Sequence, residues 1–251
     1  MNQLKTGVIE RLRENFPDRE FSIDRLAVIH RGRFANAILL RYRSNDFDMV
    51  IKDYSQRPLP VRQLAGPFFI SREMKALARL RDIEGIGRQG YRLGHETMAY
   101  PYIRGVPLSS LKKDKEKLPA AFFRQMEKMI RAMHRRDLVH LDLRNLGNIL
   151  CGDDGRPYFL DFQSSLRLSA VPGRLQPLLR GADLSAVYKA WLTLCEEPLP
   201  LHKHRFLVGF NRIRKFWIFR GYPLAKPKQS QPAPSPAVSG IQIAQESASN
   251  S

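Results

Sequence analysis

Four short stretches fall in one order along this chain and constrain it more than any other feature. Lys52 lies in the apolar run Val50-Ile51-Lys52, and Glu73 follows 21 residues later in a segment of helical periodicity. The stretch His140-Leu141-Asp142-Leu143-Arg144-Asn145-Leu146-Gly147-Asn148-Ile149-Leu150 runs into an expected strand. Asp161-Phe162-Gln163 closes the next strand, 13 residues after Asn148. Singly these are ordinary: most strand lysines are solvated, and Asp and Asn are common turn and cap residues beside strands. The ordered set is far more restrictive.

The local patterns place these residues on elements. Ala37–Tyr42 and Asp48–Asp53 are β-rich runs around Ser44-Asn45-Asp46 and predict a hairpin. Ser71 to Ile83 carries Met74, Leu77 and Leu80 on one stripe and predicts a helix. Met98–Ile103 predicts a strand that ends before Gly105, a boundary between lobes. From Leu118 to Arg136, residues Phe122, Met126, Met129, Ile130 and Met133 share one helical face, which reads as core. Asn148–Cys151 and Pro157–Phe162 flank Gly152-Asp153-Asp154-Gly155 and predict a second hairpin. Asp183 to Leu194 reads as helix.

The chemistry follows from residue types. Transfer of a phosphoryl group from ATP needs a lysine on the α- and β-phosphates and a helix glutamate to hold it. It needs an aspartate to orient the acceptor hydroxyl, and an Asn and a second Asp to hold the bridging metal. Lys52, Glu73, Asp142, Asn148 and Asp161 supply these parts in order. Here the chain resembles the protein-kinase-like superfamily over about residues 25–220, matching its V-A-I-K, catalytic-loop and D-F-G motifs. The resemblance implies an α+β, two-lobed protein-kinase-like fold with a small antiparallel-sheet N-lobe and a mostly helical C-lobe. It divides the chain into residues 1–104, 105–228 and a tail, 229–251. It also implies ATP and Mg2+ as cofactors, with Asp142 and Arg144 catalytic, Asn148 and Asp161 on the metal, and Lys52, Glu73 and Gly32 on the nucleotide. Pro101 and Tyr102 fall in the hinge, and Tyr100 stands at the gatekeeper place. His140 reads as a structural residue of the loop.

Departures from the superfamily pattern narrow the reading. The phosphate-covering stretch Ile29-His30-Arg31-Gly32-Arg33-Phe34-Ala35-Asn36 has one glycine. The catalytic loop is one residue longer than usual, so Asn145 competes with Asn148 for the metal; Asn148 is favoured because Asn-Ile-Leu opens the strand. Leu141 replaces the usual Arg, and Gln163 replaces the last Gly of D-F-G. Asp161 to Asp183 spans 22 residues without an Ala-Pro-Glu motif, the segment with which protein kinases present peptides. Within the superfamily the chain most resembles bacterial lipopolysaccharide kinases of the Kdo-kinase type, and next RIO-type kinases. The stretches Arg72–Leu80, Asp183–Tyr188 and Arg205–Phe210 carry that resemblance. It implies phosphorylation of a hydroxyl on an anionic glycolipid or sugar. The alternatives are a RIO-like serine/threonine protein kinase and a pseudokinase serving as a binding module.

Composition bears on partners. Forty-two Lys and Arg against 24 Asp and Glu give a formal charge of +18, which attracts anionic partners. No nucleic-acid recognition motif accompanies it. The segment from Pro198 to Lys228 has eight cations, no acidic residue and interleaved aromatics, including Trp217 and Phe219. It reads either as a solvated face or as a contact with an anionic membrane surface through Arg212, Arg214 and Lys215. Beyond residue 229 the Gln/Pro/Ser/Ala composition predicts disorder. The charged N-terminus lacks a secretory pattern, and two cysteines fit a reducing compartment. A cytoplasmic protein, peripheral at the inner face of the membrane, is the expectation.

Overall fold

The computed structural model describes residues 2–32, 36–86 and 88–214. Arg33, Phe34 and Ala35 of the single-glycine loop lie outside the described residues. So do Lys215, Trp217, Phe219 and the tail; of the three cations expected at a membrane, only Arg212 has a described side chain, and it is exposed on the last helix.

The chain opens with helix α1 (Asn2–Asn15), which a reading of this segment for charge alone overlooks. Leu4, Val8, Ile9 and Leu12 recur at helical spacing and are buried. They pack with Leu26, Leu40, Tyr42, Ile51 and Ala99 on one face of an antiparallel sheet. That sheet has five strands: β1 (Leu26–His30), β2 (Ile38–Arg43), β3 (Asp48–Asp53), β4 (Tyr91–Arg92) and β5 (Thr97–Pro101). Their order is β1-β2-β3-β5-β4. The β2–β3 hairpin forms where the sequence predicts it, with Ile38 opposite Asp53 and Leu39 opposite Lys52.

Helix α2 (Gly66–Arg79) crosses the other face of the sheet and continues a single π-helical turn, Val61–Ala65. It starts five residues before the predicted Ser71. Gly66-Pro67 reads as a breaker, yet proline in the first turn of a helix lacks only an N–H that has no intrahelical partner. Gly66 is needed where it stands, because a Cβ there would come within 2.8 Å of the Tyr54 ring. Ile70, Glu73, Ala76 and Leu77 form the buried face of α2.

After β5 the chain enters the helical region through β6 (Gly105–Pro107) and α3 (Leu108–Lys113). Helix α4 (Ala120–Arg135) matches its predicted span within two residues and buries Phe122, Phe123, Met126, Met129, Ile130 and Met133. Each such side chain contributes about 1.5–3 kcal/mol of transfer free energy. Strands β7 (Leu138–Val139), β8 (Ile149–Gly152) and β9 (Pro157–Phe159) follow. β8 and β9 form the second predicted hairpin, with β6 on the outer edge of β8. β10 (Leu166–Arg167) pairs with β7. Helix α5 (Gln176–Leu194) is buried along most of its length and begins seven residues before the predicted start. Helix α6 (Leu201–Arg214) packs on α5, where the Phe210 ring lies against Gly181. Among the described residues no helix is long and apolar enough to cross a membrane. The architecture is the two-lobed arrangement expected, an antiparallel sheet region followed by a helical one.

Candidate active site

Lys52 is the last inward residue of β3 before its turn, and it is buried with Glu73 of α2. Its Nζ lies 2.6 Å from Glu73 Oε2 and 2.9 Å from Asp161 Oδ1. Burial alone would lower the Lys52 pKa, but Asp161 and Glu73 outweigh it and hold the ammonium well above its usual range. Asp161 is likewise pushed up by burial and pulled further down by Lys52, so it stays ionised. The Tyr100 ring closes the cluster, 5.8 Å from Lys52 Nζ, and burial drives its phenol to about 12.

Asp161 sits just past β9 in a left-handed conformation, φ 61°. Ile149 faces Phe159 in the β8–β9 ladder, and Asn148 O accepts the Leu160 N–H at 2.9 Å. That register brings Asn148 beside the strand end that carries Asp161. Asn148 is buried, and its Nδ2 donates to Asp142 Oδ2 at 2.8 Å and to Asp142 O at 3.1 Å. Asn145 is exposed; its Oδ1 caps the turn through the Gly147 N–H, and its Nδ2 donates to Asn148 Oδ1 at 3.3 Å. Of the two asparagines, Asn148 is the one placed between Asp142 and the Asp161 strand.

His140 has the structural position expected. Its Nε2 donates to Leu160 O at 2.9 Å and its Nδ1 accepts the Asp142 N–H at 3.3 Å, which assigns the neutral Nε2–H tautomer. The ring lies 4.5 Å from that of Phe162. Asp183, to which the sequence assigned no role, anchors this loop from α5. Its Oδ2 accepts from His140 N at 2.9 Å and from His134 Nε2 at 3.1 Å, and its Oδ1 accepts from Leu141 N at 2.8 Å. Leu141 is at φ 68°, a conformation costing a non-glycine residue about 1–3 kcal/mol, and the Asp183 bond holds it there.

Arg144, expected to be catalytic, is directed at the helices: Nη1 donates to Ser185 Oγ of α5 at 2.9 Å and to Asn211 Oδ1 of α6 at 3.4 Å. Pro101 ends β5 opposite Met49, and Tyr102 N donates to Asp48 O at 2.9 Å, so the expected hinge is tied to β3. The Arg41 guanidinium lies 3.4 Å from the Tyr102 ring centroid. Gly32 is at φ 51°, and a Cβ there would meet Ala37 O at 2.4 Å, which explains the one retained glycine. The segment after Asp161 is short. Asp137 clasps it by accepting from Ser169 N and Oγ and from Arg167 Nε.

A second unforeseen residue is Arg88. Its Nη2 donates to Phe159 O, and its Cζ lies 5.4 Å from the Tyr100 ring centroid. Nε and Nη1 are buried with no hydrogen-bond partner among the described residues. No sequence pattern flags it, because it sits in an irregular connection.

The donor set fits a nucleotide-bound Mg2+. Asp161 and Asn148 offer hard oxygen ligands, and Mg2+ on phosphates takes only one or two protein ligands, the rest being phosphate and water. Among the described residues there is no cluster of three His, Cys, Asp or Glu side chains for a dedicated metal site.

Sheet, helix, catalytic loop and the Lys52–Glu73–Asp161 cluster together define a protein-kinase-like fold. The RIO domain family matches residues 32–185, well over half of the chain and every charged residue of the cluster, and the chain belongs to that family. Of the two subfamilies that the sequence resembles, the match falls on the one placed second. No curated protein matches the chain.

Proposed function

We propose that the chain is an ATP- and Mg2+-dependent kinase of the RIO type that phosphorylates a serine or threonine hydroxyl of a protein. The observation that carries this reading is the buried Lys52 ammonium held by Glu73 and Asp161 in a RIO-domain chain. Lys52 binds the α- and β-phosphates, and Glu73 fixes its direction. Asp161 and Asn148 would hold the metal, which would supply positive charge against that of the phosphates. Asp142 orients the acceptor hydroxyl and accepts its proton, while Asn148 Nδ2 holds Asp142 Oδ2 in place. The hydroxyl oxygen bonds to the γ-phosphorus as the bond to the β–γ bridging oxygen breaks, releasing ADP.

The test is transfer of labelled phosphate from ATP to separated protein, lipid and sugar fractions, followed by phosphoamino-acid analysis. Phosphoserine or phosphothreonine is the expected product. Label in the lipid or sugar fraction would instead support the anionic glycolipid acceptor. Nucleotide binding with no transfer to any fraction would support a pseudokinase.

A further inference from the structure

The loop between β1 and β2 has to cover nucleotide phosphates with a single glycine. Such loops ordinarily do this with several glycines, whose backbone N–H groups approach the phosphates closely. The described part of this loop, Arg31 and Gly32, is held from the turn after β3. Asp53, fully buried at the end of β3, is fixed by Thr97 Oγ1 at 2.7 Å and by Arg11 of α1 at 2.9 Å. Its other oxygen accepts the Ser55 N–H at 2.8 Å, and Arg57 N donates to Tyr54 O at 2.9 Å. Tyr54 Oη in turn donates to Gln163 Oε1 at 3.4 Å, joining the turn to the segment after Asp161.

From this base Arg57 reaches the loop. Its Nη2 donates to the carbonyl oxygens of Arg31 and Gly32, the latter at 3.3 Å. Its Nε is buried with no hydrogen-bond partner among the described residues. In a trans peptide the C=O and N–H lie in one plane and point in opposite directions. Gripping the Arg31 carbonyl therefore turns the Gly32 N–H to the face away from Arg57, and fixes it there. The site is close to Lys52 in the ladder: Gly32 folds back onto Ala37, which precedes Ile38, the partner of Asp53.

We infer that Arg57 is a positioning residue for the nucleotide phosphates, acting through its grip on the backbone of the β1–β2 loop. The inference rests on the nucleotide-binding part of the proposed function. It makes one discriminating statement: Arg57 matters for a ligand that carries phosphates and not for the nucleoside alone.

Titration calorimetry of the full chain with MgADP and with adenosine tests it. Arg57→Gln is expected to weaken MgADP about tenfold and adenosine less than about twofold. Arg57→Lys, whose ammonium has donors for both carbonyls, is expected to recover most of the MgADP affinity. Arg57 lies in a surface turn, so the ligand-free melting temperature of each variant should stay near that of the wild type. Unchanged MgADP affinity in Arg57→Gln, or equal losses for MgADP and adenosine, would overturn the inference while leaving the kinase reading intact. Wild-type protein that binds neither ligand would overturn both.

Discussion

Two buried carboxylates, Glu73 and Asp183, hold the two halves of this site in different ways. Glu73 grips a side chain, the Lys52 ammonium, and shares it with Asp161. Asp183 grips backbone, the N–H groups of His140 and Leu141, together with the ring of His134. On the proposed function, the first assembly would exchange partners as phosphates and a metal arrive. The second consists of hydrogen bonds that have no reason to change during a reaction cycle. The site thus joins an adaptable cation to a fixed loop, and the two should respond differently to mutation.

The largest loss of stability is expected at the fixed half. Asp183→Ala leaves three donors without their acceptor and releases Leu141 from its strained conformation. Each buried unsatisfied group costs about 1–3 kcal/mol, so the three together cost about 3–9 kcal/mol, offset by about 1–3 kcal/mol of released Leu141 strain, with loss of transfer. Urea unfolding measures it. A loss under about 1 kcal/mol would mean that water or a rearranged loop replaces Asp183.

Lys52→Met comes next. It strands Glu73 as a buried carboxylate without its cation, for about 3–5 kcal/mol, and is expected to remove Mg-nucleotide binding. The double variant Lys52→Met/Glu73→Leu sharpens the comparison. Replacing both members of a buried pair by apolar groups is often neutral, so stability should return apart from what Asp161 loses with Lys52, while binding does not. No similar pairing exists for Asp183, because two of its three partners are main chain.

How much of this was legible in the sequence varies with the distance over which each contact forms. The β2–β3 and β8–β9 hairpins were readable because strand and turn chemistry are local. That Lys52 meets Asp161 and Asn148 meets Asp142 was foreseeable because their order and spacing follow a recurring pattern. The role of Asp183 was not, although its helix was recognised: a carboxylate within a buried helix shows no partner until the fold places it 42 and 43 residues from the amides it accepts. The destination of the Arg144 side chain was hidden for the same reason, since Asn211 lies 67 residues away. Arg57 and Arg88 sit in irregular connections, where periodicity carries no information. Helix α1 was readable from its Leu4–Leu12 stripe, which a search for a leader peptide passes over.

Within the loop, Asn148→Ala and Asn145→Ala should separate. Asn148→Ala is expected to abolish most Mg dependence of nucleotide binding and to remove the Nδ2 bonds to Asp142. Asn145→Ala removes a turn cap, for about 0.5–2 kcal/mol, with a smaller effect on the metal. Calorimetry across a Mg2+ series measures both, and an equal or larger loss at Asn145 would reverse the assignment.

The smallest effect is expected at Glu127, outside the site. Burial raises its pKa, but the bonds from Lys203 and Arg131 outweigh that and hold it below the usual range. A depressed carboxylate stabilises the fold above its unfolded pKa of about 4.3, and that contribution fades as pH falls through the folded value. Glu127→Gln should therefore cost about 0.5–1 kcal/mol at neutral pH, after solvent screening, with the gap closing below about pH 4. Unfolding curves at several pH values check the sign.

The central claim is that Asp142 acts on the acceptor while Lys52, Asn148 and Asp161 hold the nucleotide. It is tested most directly by measuring phosphate transfer and MgADP affinity in Asp142→Asn. The expected result is a fall in transfer of about 10²–10⁴-fold, with MgADP affinity within about threefold of wild type. Near-normal transfer in that variant, or loss of MgADP binding in step with transfer, would contradict it.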